Sequence, residues 1–217
     1  MDYTQYPVTL LLIAANAIFS FIGFSNSNMV NQTIMWPYRV KREKEYYRFI
    51  TSGFLHADMM HLIFNMFTLY FFGRNIETVF NGLELGGTAA YLGLYLGALI
   101  ISDIPSYLKH RDHSEYRSLG ASGAVSAVVF ASIVFSPWNS IYLFGAIRIS
   151  AAIYAVLFVV YCVYMGKKGG DNINHDAHLW GALFGLAATL GLIAALQPDL
   201  FKYIIEELKH PSLLGRG

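Results

Sequence analysis

Four polar side chains suited to acyl-transfer chemistry stand at the starts of apolar runs in this sequence. Ser122 lies within the stretch GASG at 120–123, His178 opens a second apolar run, and His61 and Asn65 open a third. A serine hydroxyl becomes an effective nucleophile when a base takes its proton, and histidine is the base best suited to neutral pH. The residue types therefore predict nucleophilic catalysis by Ser122 and His178.

The same residues could also stabilise the negative charge that develops on an attacked carbonyl oxygen. His61 and Asn65 are four residues apart, so they lie on one face of a helix. The backbone N–H of Ser122, at a predicted helix start, has no intrahelical partner. Together these groups predict an oxyanion site. Asp176 precedes His178 by two residues but falls in a predicted loop, so the sequence favours a Ser–His dyad over a triad.

Glycines cluster around these residues although glycine destabilises a helix by about 1 kcal/mol relative to alanine. Gly120 and Gly123 flank Ser122, and Gly181 and Gly185 form a G-x-x-x-G pattern in another apolar run. Small residues let helix backbones approach closely within membranes. We expect these glycines to let two helices pack tightly and to bring the serine near the histidine.

The elements that must position these residues are membrane-spanning helices. The 217 residues are 55% hydrophobic and only 13% charged, whereas an ordinary soluble domain is about 25% charged. Six apolar runs are each long enough to cross a hydrocarbon core of about 30 Å. The sequence thus predicts an all-α membrane protein, a six-transmembrane-helix bundle with an interfacial first loop. The runs are approximately Pro7–Phe24, Met59–Phe80, Leu85–Leu108, Leu119–Ser136, Ile149–Met165 and Ala177–Gln197.

The direction of the crossings places the polar residues at one end of the bundle. The second, fourth and sixth runs cross in the same direction, so their N-terminal ends share one membrane face. Polar groups within spans normally face a bundle interior or a water-filled cavity. Their convergence on one face therefore predicts a functional site there.

Composition and charge exclude several other classes of protein. A net charge of +1 gives no global field that would attract nucleic acid. In the first loop, 25–58, aromatic and basic residues interleave as they do at a membrane interface, and Glu43 and Glu45 interrupt the basic run. The single cysteine, Cys162, excludes an internal disulfide and a multi-cysteine metal site.

Three motifs in these runs resemble those of the rhomboid family of intramembrane serine proteases. They are GASG at 120–123, HLIFNMFTLYFFG at 61–73 and AHLWGALFG at 177–185, in the family's order and on the second, fourth and sixth spans. The stretch YYRFITSGFLH at 46–56 is similar to the end of the family's first loop. The likeness covers a core of about residues 6–197, so a single rhomboid-like domain is expected over 1–217, with 198–217 as a short tail.

The resemblance implies a role for each matching residue. Ser122 would be the nucleophile and His178 the general base, with His61, Asn65 and the Ser122 N–H around the oxyanion. No metal and no cofactor are expected; the partners would be transmembrane protein substrates and membrane lipid, with no nucleic acid. The supporting residues would be Gly120, Gly123, Gly181, Gly185, His56 beside the first loop, and Glu77 as a structural hydrogen-bonding residue near the far end of the second span.

The sequence departs from the family pattern at two positions. Tyr47 stands where a tryptophan is usual before Arg48. Ser126 stands four residues after Ser122, where many members carry an aromatic ring that packs on the catalytic imidazole. The imidazole of His178 is therefore expected to be held less firmly, or by another ring.

Other interpretations remain open at this point. GASG alone is typical of helix packing, His61 and Asn65 could form an interhelical hydrogen-bonded pair, and Glu77 could snorkel to the membrane interface. The protein could be a catalytically inactive, rhomboid-like client-binding protein. Four histidines at one end of a bundle could also bind a metal ion in a transporter or metalloenzyme, although there is no H-E-x-x-H.

The membrane orientation expected from the charges differs from that of the family. Ten of the fifteen Lys and Arg residues fall on the side that carries the polar residues. The positive-inside rule places that side in the cytoplasm. The resemblance implies instead a multi-pass protein of a bacterial inner membrane with its site toward the extracytoplasmic side. We follow the resemblance, because an interfacial first loop is an unusual place to apply the count.

Overall fold

The computed structural model describes residues 6–143 and 146–216, and helices make up most of this part of the chain. The second predicted run is one long helical segment in which α5 passes through a π-helical turn at Leu69–Gly73 into α6. In chain order the elements are α1 Pro7–Ser25, α2 Ser27–Thr33, α3 Pro37–Glu43, α4 Arg48–Thr51, a 3₁₀ turn Ser52–Phe54, α5 Met59–Thr68, α6 Arg74–Gly82, α7 Gly87–His110, α8 Ser122–Phe135, β1 Ser140–Leu143, β2 Ile147–Ser150, α9 Ala151–Lys168, α10 His175–Leu196 and α11 Pro198–Leu208.

Every one of the six predicted runs is helical, with ends within about three residues of those expected. Among the described residues, four helices, α1, α7, α9 and α10, are long and apolar enough to cross a membrane by their own length and composition. The segment α5–α6 is divided by its π-helical turn, and α8 has only 14 residues. At 1.5 Å per residue, α8 is about 21 Å long, which is shorter than a typical hydrocarbon core.

The short helix α8 is the centre of the bundle. All its residues from Gly123 to Val134 are buried, and α7 and α10 pack directly on it. A Cβ added at Gly181 would collide with the backbone carbonyl of Gly123, and one added at Gly185 would collide with that of Ala127. The glycines on α10 therefore allow backbone-to-backbone contact with α8, as the sequence predicts.

Glu77 stabilises the start of α1 from the neighbouring helix α6. Its fully buried carboxylate accepts hydrogen bonds from the N–H groups of Val8 and Thr9, at 2.9 and 2.8 Å, and from Thr9 Oγ1 at 2.8 Å. The first N–H groups of a helix have no intrahelical acceptor, so this carboxylate satisfies two of them. The snorkelling interpretation of Glu77 is wrong, because the carboxylate turns inward to cap α1.

The first loop is a set of short helices held together by Arg48. This side chain is fully buried, and it donates to the Glu45 carboxylate at 2.6 Å and to the carbonyls of Asn31 and Ile34 at 3.0 and 2.6 Å. Nearby, Tyr46 and Tyr47 are exposed, as expected of rings at a membrane interface. Arg48 thus links separate parts of the loop through hydrogen bonds.

The tail contains an amphipathic helix, α11, in agreement with the short amphipathic or solvated end that the sequence indicates. Two other parts of the structure depart from the sequence prediction. The strands β1 and β2 form an antiparallel hairpin just before α9, where only a connection and the start of the fifth run were expected. Asp176, expected in a loop, lies in the first turn of α10. Asn174 accepts a hydrogen bond from the Ala177 N–H at 3.1 Å and so starts α10 before the predicted position.

Candidate active site

A cavity of about 800 Å³ opens at the N-terminal ends of α5, α8 and α10. The four residues predicted to do chemistry, Ser122, His178, His61 and Asn65, all line it. The structure thus brings together side chains separated by more than a hundred residues in sequence. Other lining residues used below are Ala57, Asp58, Phe64, Thr68, Ser126, Tyr154, Phe158, Asp171, Asn172, Ile173 and Asn174.

Ser122 is the first residue of α8, and the preceding glycine fixes the turn that presents it. Gly120 has φ of +126°, a backbone conformation that residues other than glycine rarely adopt. Its N–H donates a hydrogen bond to the Ser52 carbonyl at 3.1 Å. This bond anchors the GASG turn to the first loop. Within the described chain, the Ser122 N–H makes no backbone hydrogen bond, so it is available at the positive end of the α8 dipole.

The His61 imidazole lies directly against the GASG turn. A Cβ at Gly120 would come within 2.8 Å of His61 Cε1 and 3.0 Å of its Nε2. The Ala57 N–H donates to His61 Nδ1 at 3.4 Å, so in the neutral ring the proton lies on Nε2. Nε2–H is therefore a donor beside the turn that carries Ser122. Glycine at 120 is needed twice, for the backbone conformation and for the approach of this ring.

Asn65 lies one turn further along α5 and is mostly buried. One of its two amide N–H groups donates to the backbone carbonyl of His61 at 2.9 Å, which fixes the side chain along the helix. The amide nitrogen carries a second N–H. Among the described residues, the hydrogen bonds of the His61 and Asn65 side chains lie within α5 and the link before it, so the alternative in which they bond to another helix is not supported.

His178 lies in the first turn of α10 and contacts an aromatic ring from α9. The Phe158 ring centroid is 6.3 Å from that of the imidazole, and the two planes are inclined by 31°. Ser126, in the place of the family's aromatic residue, lines the same cavity as Phe158. The expectation that another ring accompanies the imidazole is thus met by Phe158.

No side-chain hydrogen bond involving Ser122 or His178 occurs among the described residues, so their hydroxyl and imidazole share the cavity without being joined. In enzymes without substrate, catalytic hydrogen bonds are often long and tighten only when substrate binds. The arrangement places a hydroxyl, an imidazole and three N–H donors around one cavity. It offers the groups that acyl transfer requires.

His56 supports the cavity from the link between the 3₁₀ turn and α5. Its Nδ1 lies 2.8 Å from Ser20 Oγ, and its ring meets that of His61 edge to face, with centroids 4.9 Å apart. Ser20 Oγ donates to the Phe54 carbonyl, so Nδ1–H of His56 is the donor to Ser20. Burial, with a smaller contribution from the neighbouring His61, lowers the pKa of His56 to about 3. His56 is therefore neutral and holds the His61 ring in place.

The carboxylates near α10 are occupied by partners other than His178. Asp176 forms an ion pair with Lys109 at 3.2 Å, and the Asp171 carboxylate accepts a hydrogen bond from His175 Nε2 at 3.0 Å. The hydrogen bond with His175 lowers the pKa of Asp171. In the part of the chain that the structure describes, no carboxylate is hydrogen-bonded to His178.

Sequence reasoning missed two features around the imidazole. Phe158 lies in an apolar run with many aromatic residues, and nothing in its spacing distinguishes it. His175 and Cys162 both lie close to His178, although one of them is on a different helix. The spacing of His175 and His178, three residues apart on one helix, is a sequence signal that the two side chains lie close together. No sequence signal places Cys162 beside them.

The comparisons with known proteins all indicate the same family. The model of the rhomboid domain matches residues 43–195. The chain is 30% identical over 187 residues to RHOMBOID-like protein 12, mitochondrial, of Arabidopsis thaliana, covering 81% of this chain and 55% of that protein. It is 27% identical over 192 residues to rhomboid protease GluP of Bacillus subtilis (strain 168), covering 85% and 35%.

A further relative matches over nearly its whole length. YdcA of Bacillus subtilis (strain 168), also a rhomboid by name, is 28% identical over 186 residues, covering 83% of this chain and 85% of that protein. In contrast, the chain spans about half the length of the Arabidopsis protein and about a third of GluP. The likeness is thus to the helical core that the relatives share.

Proposed function

The chain belongs to the rhomboid family, and from this premise we propose that it is an intramembrane serine protease that hydrolyses peptide bonds of transmembrane proteins. Ser122 is the nucleophile and His178 the general base. Because the fold is a rhomboid-type helical bundle with several membrane-crossing helices, the protein is a multi-pass membrane protein. Its activity on a substrate is the part that we propose.

The observation that carries this proposal is the shared cavity of Ser122, His178, His61 and Asn65 at the ends of α5, α8 and α10. Close glycine-mediated packing of α8 on α10 supports the pairing of the serine with the histidine. The unpaired N–H of Ser122 and the Nε2–H of His61 support the oxyanion role, because both lie at the GASG turn. No single one of these features would be sufficient evidence.

The first half of the reaction forms an acyl-enzyme. The Ser122 Oγ attacks the scissile carbonyl carbon while its proton passes to His178. The carbonyl oxygen becomes an oxyanion, which accepts hydrogen bonds from the Ser122 N–H and from the side chains of His61 and Asn65. The C–N bond then breaks, and the proton on His178 goes to the leaving amine.

The second half releases the product and restores the enzyme. A water molecule gives a proton to His178 and attacks the acyl carbon, with the same donors around the new oxyanion. Collapse of this intermediate breaks the bond to Oγ, and His178 returns the proton to Ser122. The cavity contains polar groups and loop residues 171–174, which supports access of water from the membrane edge.

The substrates proposed are transmembrane proteins, and the surrounding lipid is the other partner. Exposed apolar side chains on α9, including Val156, Leu157 and Val160, suit contact with lipid, while Phe158 on the same helix faces the cavity. We place the protein in a bacterial inner membrane with the cavity toward the extracytoplasmic side. No cofactor takes part in the proposed reaction.

Labelling with a fluorophosphonate tests this function directly. The purified protein in detergent should form one covalent adduct, and peptide mass spectrometry should locate it on Ser122. Ser122→Ala should abolish the adduct, whereas Ser126→Ala should retain it, because Ser126 lines the same cavity one turn further along α8. Labelling that persists in Ser122→Ala would contradict the proposal, because another residue would then be the one that reacts. Absence of labelling in the native protein would also contradict it and would favour a client-binding protein.

A further inference from the structure

Three potential metal ligands lie together behind the proposed catalytic imidazole. A sulfur of Cys162 on α9 and one nitrogen each of His175 and His178 on α10 lie within 4.8 Å of one another. Cys162 and His175 are buried, with 2% and 3% of their surfaces exposed, and His178 is half-buried. The cluster joins two helices, so it depends on how α9 packs against α10.

The second observation is an unsatisfied nitrogen in this cluster. Nε2 of His175 hydrogen-bonds Asp171, at 3.0 and 3.2 Å from its two oxygens, while the buried Nδ1 finds no hydrogen-bond partner among the described residues. A buried polar atom without a partner is unfavourable and calls for an explanation. A carboxylate on one nitrogen of a histidine, with the other nitrogen free, is the usual arrangement around metal-binding histidines.

The chemistry of the donors indicates the class of ion. One thiolate and two imidazoles suit Zn²⁺, which prefers sulfur and nitrogen ligands in tetrahedral geometry at about 2.0–2.3 Å. Such distances require the ligand atoms to be roughly 3.4–3.7 Å apart. The present separation of up to 4.8 Å therefore needs a contraction of about 1 Å, which side-chain rotation can supply. The fourth position would be left to water.

We propose that Cys162, His175 and His178 form an inhibitory Zn²⁺ site, with Asp171 orienting His175. The inhibition rests on the proposed protease function, whereas the binding of the ion does not. Residues 171–174 and His178 line the cavity, which gives the ion a path to the cluster. Binding displaces the thiol proton of Cys162 to solvent and occupies a nitrogen of His178. With its lone pair bound to zinc, His178 no longer accepts the proton of Ser122.

Binding is tested first in Ser122→Ala, where no proteolytic activity is involved. Titration of this protein with Co²⁺ in detergent should give thiolate-to-cobalt charge-transfer absorption, and added Zn²⁺ should displace it. Cys162→Ser in the same background should lose this absorption. Asp171→Asn should retain it but weaken zinc binding by about 10–100-fold, as expected for loss of an outer hydrogen-bond partner.

A matched control separates this cluster from other histidines. His110 and His113 form an exposed pair, with Nδ1 atoms 3.2 Å apart, at the C-terminal end of α7. His113→Ala should leave both the cobalt spectrum and the zinc affinity unchanged. An unchanged spectrum in Cys162→Ser, or loss of binding in His113→Ala, would overturn the proposal.

The inhibitory effect is measured with the active protein. Zn²⁺ should suppress fluorophosphonate labelling of Ser122 in the native chain, and a chelator should restore it. Cys162→Ser should label at the native rate without zinc and require at least tenfold more zinc for the same suppression. Equal sensitivity of both proteins to zinc would refute the inhibitory role. Absence of labelling at all zinc concentrations would refute the protease function and leave the binding result intact.

Discussion

His61 and Asn65 lie on consecutive turns of α5, and both present nitrogen atoms to the cavity. The tautomer of His61 follows from the hydrogen bond that its Nδ1 accepts from Ala57. The orientation of Asn65 follows from its bond to the His61 carbonyl. Each side chain is thus fixed before substrate binds, which is what electrostatic stabilisation of an oxyanion requires.

Removal of either donor should slow catalysis without unfolding the protein. We expect His61→Ala and Asn65→Ala each to reduce kcat by on the order of 10²–10³, the usual cost of one oxyanion donor. Thr68→Val is the matched control, since Thr68 lines the same cavity from α5 and its hydroxyl donates to the Phe64 carbonyl in its own helix. Steady-state cleavage of a membrane substrate measures the effect. Unfolding of the donor variants with unchanged specific activity would assign them a structural role instead.

His56 makes the stability of the protein depend on pH. Its pKa is about 3 in the folded protein, because of burial, and about 6.5 in an unfolded chain. Between these values the unfolded chain binds a proton that the folded chain does not. The free energy of unfolding therefore falls as the pH drops below about 6.5, and above that pH this contribution is constant.

Measuring the Tm of the protein in detergent at several pH values between about 7 and 5 tests this pH dependence. His56→Asn replaces the imidazole by an amide that can still donate to Ser20 Oγ but does not titrate. The Tm of this variant should depend less steeply on pH than that of the native protein. Identical slopes for the two proteins would show that His56 does not contribute.

Among the helices, α8 and α10 decide whether the site exists at all. Their contact uses Gly181 against Gly123 and Gly185 against Ala127. The free space is so small that even a methyl group would push the backbones apart. Because Ser122 and His178 lie at the ends of these helices, a shift between them would separate the two groups.

Gly181→Ala should therefore lower both stability and activity. Gly191→Ala is the matched control on the same helix, because a Cβ at Gly191 meets nothing within 4 Å. The control should be neutral, or more stable by up to about 1 kcal/mol, since alanine favours helix over glycine. Thermal unfolding and cleavage assays on both variants measure these effects. Equal Tm and activity in the two variants would mean that the close packing is not required.

The helices were the part of the fold that sequence could predict well. Long apolar runs must be helical in a membrane, because every backbone hydrogen bond has to be satisfied there. The direction of crossing then placed Ser122, His178, His61 and Asn65 at one end without any knowledge of packing. The inward turn of Glu77 could not be predicted from its own helix, because the groups that it caps belong to α1.

Other features of the site depend on contacts between distant parts of the chain. The ring beside His178 comes from α9, and the metal-ligand cluster combines α9 with α10. Neither has a periodic signal, since an apolar run does not show which side chain faces which neighbour. Similarly, the β1–β2 hairpin is short and partly apolar, so it was not separated from the run that follows it.

The whole molecule has an asymmetric distribution of charge across the membrane. Ten of the fifteen Lys and Arg residues lie on the side of the cavity, which the positive-inside rule assigns to the cytoplasm. Several of these are held in the first loop and its neighbours: Arg39 pairs with Glu43 and Glu45, and Lys41 pairs with Asp112. Because these charges are paired within an ordered interfacial loop, the number of Lys and Arg residues on this side is a weaker guide to the membrane orientation.

We expect the cavity side to be extracytoplasmic. In a Cys162→Ser background, Ser114→Cys on the cavity side should react with a membrane-impermeant maleimide in intact bacterial cells. Ser212→Cys, after α11 on the opposite side, should react only after the cells are permeabilised. The reverse pattern would place the cavity in the cytoplasm, as the charge count indicates.

The central claim is that Ser122 and His178 together cleave a membrane-embedded peptide bond. The most direct measurement is the cleavage of a model transmembrane substrate in proteoliposomes, with mass spectrometry of both products. The native protein should give two fragments cut within or beside the membrane segment, and Ser122→Ala and His178→Ala should give none while remaining folded. Undiminished turnover in either variant would contradict the account.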